Sequence, residues 1–328
     1  MRWLWALCCG AWMVAGGVTA QELFGRVEDV VPDEVDRIYV RGLSFLQRQL
    51  LGGRLDRDPY ALQPGVVGLA VVAMLARGED PNSGPYNTAI RRGLELIYQN
   101  TNPANGYIGG SMYNHGFATL ALAEAYGAVE DPRLGLALRR AVDLILQSQA
   151  RNPRGAWRYS PESTDADTTV TGAQLVALLA ARNAGLAVPD EAIRKGLQFF
   201  TQCRTPEGGI GYTDSRGPNN VRSAIGVLVF ALAREKNSPT YQAALAYLAQ
   251  DPYREHGYPF YFHYYAAQAL FHADLDLWRA WNQRMIQYFG AAQNPDGSWD
   301  GTHGQMFSTA ATLLTLALNY RLLPIYER

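Results

Sequence analysis

A chain of 328 residues with 48% hydrophobic side chains, and 29 basic groups against 30 acidic ones, has material for one large core or two ordinary ones. That balance excludes a disordered chain, a collagen and a polycationic nucleic-acid binder, so no nucleic-acid partner is expected. Residues 1–20 read as a secretory leader: Arg2 supplies the charged start, an apolar stretch follows, and Val18, Thr19 and Ala20 form a small-residue cleavage site. The leader predicts a secreted or periplasmic protein with no stable membrane anchor once it is removed. Its loss takes Cys8 and Cys9 away and leaves Cys203 alone, so no internal disulfide is expected. Ala6-Leu7-Cys8 is also a loose match to a lipoprotein signal, which leaves the processing route open.

The remainder, residues 21–328, repeats itself. Arg41-Gly42-Leu43, Arg92-Gly93-Leu94, Arg140-Ala141-Val142 and Lys195-Gly196-Leu197 share a basic, small, apolar opening, with weaker copies around Ala244 and Met285. The interval is about 50 residues, room for two helices and their loops. The first helix of each unit mixes apolar and charged positions at helical spacing, as half-exposed helices do. The second is Ala-rich and apolar on most faces: Pro64 to Ala76, Met112 to Tyr126, Thr168 to Ala184, Val221 to Ala233, Tyr261 to Phe271 and Gln305 to Tyr320. Helices of that kind belong in an interior. Loops are marked by clusters such as Asn102-Pro103-Ala104-Asn105-Gly106, and no strand of convincing length is present.

Gln147 and Gln149 precede Gly155-Ala156-Trp157, Gln202 precedes Gly208-Gly209-Ile210-Gly211-Tyr212, and Gln293 opens Gln293-Asn294-Pro295-Asp296-Gly297-Ser298-Trp299. These loops resemble the glutamine and tryptophan repeats of the terpenoid cyclase and protein prenyltransferase superfamily. The resemblance covers roughly Arg41 to Arg321 and implies an all-α fold, a single (α/α)6 toroid whose Ala-rich helices form the inner barrel. The glutamines and Trp157 and Trp299 suit structural roles, stapling neighbouring helices.

A closed ring of inner helices running one way gathers six amino ends, each with about half a positive charge, round one mouth that should attract anions. Polar residues concentrate at those predicted starts: Tyr113, Asn114 and His115; Asp165 and Asp167; Arg222; His263 and Tyr264; and His303. Asp165-Ala166-Asp167-Thr168-Thr169 also resembles the class II cyclase segment in which a middle Asp protonates an alkene or epoxide. The resemblance makes Asp167 the acid and Asp165 its modulator, with Thr168 in place of a third Asp. The same two aspartates suit capping of the helix that follows. His115 reads as accessible at the mouth or as a satisfied buried partner, and His263 the same. Arg222 reads as a bidentate anion binder or as the ion-pair partner of Asp214 or Asp165.

Prenyl transfer is disfavoured, because Cys203 has no acidic or histidine neighbour at zinc-ligand spacing; no metal and no cofactor is expected. The reading is of a cyclase-like toroid with incomplete class II chemistry, a terpene cyclase-like isomerase if it is an enzyme. It would bind a hydrophobic, isoprenoid-like or anionic ligand through Tyr113, Asn114, Arg222, His263, Tyr264 and His303. A glycan hydrolase or lyase using His115, Tyr264 and Asp167, or an envelope interaction module without catalysis, are the alternatives on the same fold. Oligomeric state is not legible.

Overall fold

Helices that are apolar on every face must be surrounded by protein, and here they build a barrel inside a ring of amphipathic ones. The computed structural model describes residues 31–52 and 58–326; the leader predicted over residues 1–20 lies outside them. The outer ring is α1 (Asp33–Gly52), α3 (Asn87–Gln99), α5 (Leu134–Arg151), α7 (Asp190–Gln202), α9 (Pro239–Gln250) and α11 (Leu275–Ala292). The inner barrel is α2 (Pro64–Leu75), α4 (Met112–Ala125), α6 (Thr168–Asn183), α8 (Asn220–Leu232), α10 (Pro259–Ala273) and α12 (Gly304–Leu316). Each inner helix packs on the one before and the one after, and α12 packs on α2, so the barrel closes as the predicted toroid. Among the described residues there is no strand, only isolated bridges pairing Thr101 with Ile108 and Arg204 with Ile210.

The helix boundaries follow local chemistry. Ser111, Asp167 and Asn219 accept backbone N–H bonds at the starts of α4, α6 and α8, and Pro64 and Pro259 open α2 and α10 where a missing N–H costs nothing. The predicted final turn of α12 tightens into the 3-10 turn Ala317–Asn319. Every residue of α2 is buried, whereas α3 buries only the stripe Ala89, Ile90, Gly93, Leu94, Leu96 and Ile97.

Each outer helix leans chiefly on the inner helix that precedes it, α3 on α2 and α1 on α12. The repeated small residue sits at this crossing: a Cβ at Gly42 or Gly196 would stand 2.7 Å from Leu313 or Leu175. The repeated basic residue reaches the preceding loop, Arg41 donating to the Asn294 carbonyl (2.9 Å) and Arg140 to that of Pro103 (2.7 Å). Loop glycines complete the joint. Gly208, at φ 97°, would with any side chain press a Cβ to 2.6 Å from the Ala243 carbonyl oxygen, so both its conformation and its contact require glycine.

Gln149 and Gln293, with Trp157 and Trp299, staple these joints, whereas Gln147 and Gln202 are exposed and make no such bond among the described residues. Gln149 Nε2 donates to the carbonyls of Gly155 (2.9 Å) and Ala192 (2.8 Å), and Gln293 Nε2 to those of Gly297 and Ile38, both at 3.0 Å. Each amide thus ties its own loop to the next outer helix. Trp157 and Trp299, 1% exposed, donate from Nε1 to the carbonyls of Ile145 and Phe289. Such a bond contributes about 1 kcal/mol, but leaving the buried groups unpaired would cost more.

At the carboxyl ends of the inner helices the barrel is shut. The chain returns beneath it, burying Leu323, Ile325 and Tyr326, and the 3-10 turn Pro324–Tyr326 packs on α6. Residues Pro32–Arg328 form one compact unit. No described helix is long and apolar enough to cross a membrane.

Candidate functional site

The opposite end is open. A cavity of about 480 Å³ is lined by residues from the starts of all six inner helices, among them Val66 of α2, Tyr113 of α4, Thr169 of α6, Arg222 of α8, Tyr261 of α10 and Phe307 of α12. The six amino ends therefore share one side, and their partial positive charges face one hollow. Its deeper wall is apolar, with Val66, Leu69, Phe117 and Phe307. Its rim is aromatic: Tyr60, Tyr159 and Tyr258 are 39%, 46% and 53% exposed.

Four of the predicted site residues line this cavity: Tyr113, Asn114, Arg222 and His303. The Tyr113 hydroxyl hydrogen-bonds the Thr169 hydroxyl, and its ring stacks on Phe117 at 6.4 Å. Asn114 is committed to α2, accepting from the Gly65 N–H (3.1 Å) and donating to Gln63 Oε1 (3.2 Å). His303 lies among the rings of Tyr60, Tyr258 and Phe307, and burial holds its pKa below the ordinary histidine value. Neutral imidazole is therefore its form near pH 7.

Arg222 does not make either of the ion pairs that the sequence offered. Asp214 pairs with Arg216, and Asp165 pairs with Arg158 at 2.8 Å. Among the described residues no carboxylate lies within ion-pair distance of Arg222. Its guanidinium donates to the Gly217 carbonyl and lies over the Tyr212 ring at 5.8 Å, and its Nε is buried without a partner. Burial also depresses its pKa from the ordinary arginine value.

The other predicted residues do not reach the cavity. His115 is fully buried, with Nδ1 accepting from the Ile108 N–H (3.1 Å) and Nε2 donating to the Ala141 carbonyl (3.0 Å). The equivalent loop N–H groups of Trp157, Ile210 and Trp299 bond the hydroxyls of Thr171, Ser223 and Thr309. His115 is thus the second unit's version of a structural hydroxyl, and burial pushes its pKa down to about 4. His263 points outward, its Nε2 3.0 Å from Glu255, with Trp281, Tyr288 and Phe289 of α11 around it. Tyr264 is 3% exposed beneath Phe117, their rings 6.3 Å apart in an edge contact.

The two aspartates behave differently from one another. Asp165 is exposed on the outside and held by Arg158, whose Nε lies 3.9 Å from Asp167 Oδ2. Asp167 is fully buried and caps α6 through Oδ1, which accepts from the N–H groups of Thr169 and Val170 (2.9 Å each) and from the Thr169 hydroxyl (2.6 Å). Its Oδ2 has no hydrogen-bond partner. Burial outweighs the cap and raises its pKa above the usual carboxylate value. Thr168, in the third Asp position of the class II resemblance, spends its hydroxyl on the Gly211 carbonyl. Asp167 therefore lies behind Thr169 and Tyr113, and no carboxylate belongs to the described cavity lining.

Tyr159 and Tyr212 were not singled out by sequence as site residues, yet both line the cavity with their hydroxyls hydrogen-bonded together. Each stands two residues after a stapled loop position, Trp157 or Ile210, and that shared offset was the available signal.

No protein-family model matches the sequence, and no curated protein matches it either. Solved structures do. The apo type II terpene cyclase MstE from Scytonema aligns over 89% of this chain and 99% of its own, with 15% identity and a TM-score of 0.59. The α-1,6-mannanase GH76A from Salegentibacter sp. covers 85% and 98%, with 9% identity and a TM-score of 0.61. A family 76 glycoside hydrolase (mannosidase) from Bacteroides thetaiotaomicron covers 87% and 98%, with 10% identity and a TM-score of 0.66. At such identities the likeness is one of architecture, and the chain has the α/α toroid fold that these cyclase and mannosidase structures share.

Proposed function

We propose that the chain binds a small apolar, isoprenoid-like molecule in the cavity at the amino ends of the inner helices, with any polar or anionic end toward the mouth. The observation that carries this reading is the lining itself, an apolar inner wall of Val66, Leu69, Phe117 and Phe307 without a carboxylate. Concave, mostly apolar sites with a few polar groups are the usual form of a small-molecule site. Protonation-initiated cyclisation by Asp167 has no support in this geometry, because Thr169 and Tyr113 stand between it and the cavity while Asp165 faces solvent. The leader read in residues 1–20 makes the reading one of a secreted or periplasmic binder.

Glycan binding is the second reading, favoured by the tyrosine rim; hydrolysis would want two flanking carboxylates, which the described lining lacks. Titration of the mature chain with farnesol and with α-1,6-mannotetraose, followed by tryptophan fluorescence and calorimetry, separates the two. Farnesol binding is expected, in competition with a longer prenyl alcohol. Saturable mannotetraose binding without farnesol binding would replace the first reading by the second.

A further inference from the structure

The geometry points to Arg222, with Asn219 and the start of α8, as an anion subsite of the cavity that holds the carboxylate or phosphate head of an amphipathic ligand whose apolar body lies against Phe117 and Leu69. This rests on the apolar-ligand reading above and specifies the ligand class. Three observations carry it. Arg222 lines the cavity, and the two acids that the sequence offered as partners are taken by Arg216 and Arg158. Its buried Nε has no hydrogen-bond partner, so no acceptor group of the described residues is spent on that edge of the guanidinium.

The surroundings favour negative charge as well. Asn219 accepts the Arg222 backbone N–H through Oδ1, and its amide NH2 makes no hydrogen bond among the described residues. Arg158 lies over the same Tyr212 ring as Arg222, at 5.4 Å and 5.8 Å, so two guanidinium groups flank one phenol. Asp167 acts on Arg222 only from beyond ion-pair distance, and burial holds that carboxyl toward its neutral form. The head group would thus meet a guanidinium charge at the mouth that no carboxylate of the described residues pairs with, which suits carboxylate and phosphate oxygens.

The test compares farnesol, farnesoate, farnesyl phosphate and inorganic phosphate by calorimetry on the mature wild-type chain and on Arg222→Gln and Arg222→Lys. Thermal melts would establish that both variants fold. The wild type should bind one or both anionic prenyl compounds at least about tenfold more tightly than farnesol. Arg222→Gln should abolish that preference by weakening the anions far more than farnesol, and Arg222→Lys should retain part of it. Equal binding of farnesol and the anions by the wild type, or a preference that survives in Arg222→Gln, would overturn the subsite. Farnesyl phosphate no tighter than inorganic phosphate would keep an anion site but overturn the amphipathic ligand. Failure of every prenyl compound would overturn the cavity reading itself, a distinct result.

Discussion

The two ends of the barrel are made from the same six helices and have opposite fates. At the amino ends, side chains as large as Tyr159 and Tyr258 stand partly in solvent round a hollow of about 480 Å³, and no acid among the described residues pairs with Arg222. At the carboxyl ends, Leu323, Ile325 and Tyr326 fill the barrel from below and are at most 4% exposed. The carboxyl end fills the centre of the barrel with apolar side chains, and the amino end keeps its centre hollow. Departures from local satisfaction, such as the unpaired Arg222 Nε, are expected at functional or strained sites.

That contrast is open to attack. The largest effect is expected at the closed end: Tyr326→Ala should lower the unfolding free energy by about 3 kcal/mol or more, read by urea denaturation, and leave the relative affinities for prenyl ligands unchanged. A small cost would mean that the C-terminal segment is an ornament and the two ends are alike. Next comes His115, part of the framework one turn inside the mouth. Its folded pKa of about 4 lies below the ordinary value of 6.5, so the folded state favours the neutral ring. Its stability contribution is complete above about pH 6.5 and is lost as pH falls toward 4, amounting to about 3 kcal/mol. His115→Thr, the residue type found at the equivalent joints, should flatten that segment of the stability profile whatever it costs at pH 7. An unchanged slope would place the titration elsewhere. The smallest effect is expected of Asp167→Ala, which removes the cap of α6 and should cost about 1 kcal/mol, whereas Asp167→Asn should keep most of it. A loss as large as that of Tyr326→Ala would show the mouth to be as structural as the base.

The ring was legible because every joint repeats. Gly42, Gly93 and Gly196 recur where outer helices cross inner ones, and Gln149 and Gln293 recur where loops are tied down. The site was legible only where a residue's position along a helix decides its surroundings, as for Tyr113, Arg222 and His303 near the starts of α4, α8 and α12. It was not legible where the direction round the helix decides. A helix apolar on every face carries no phase, so nothing in the pattern showed that His115 and His263 point to the outer ring while Phe117 points inward. Tyr60, Tyr159 and Tyr212 escaped for another reason. They lie in loops, outside any helical periodicity.

The closing joint has a temporal consequence. Gln293 bonds the Ile38 carbonyl, Arg41 the Asn294 carbonyl, and Tyr320 the Asp36 carboxylate, contacts spanning 253 to 284 positions. A nascent chain thus emerges with α1 unable to find its proper seat until the last unit has left the ribosome. Until then the face of α1 around Gly42, which packs on Leu313 of α12 in the finished ring, lacks its partner. This clasp uses the same glutamine-and-glycine joint as the interior one at Gln149. A circularly permuted chain opened at another loop should wind up into the same annulus, with a different pair of units waiting for each other.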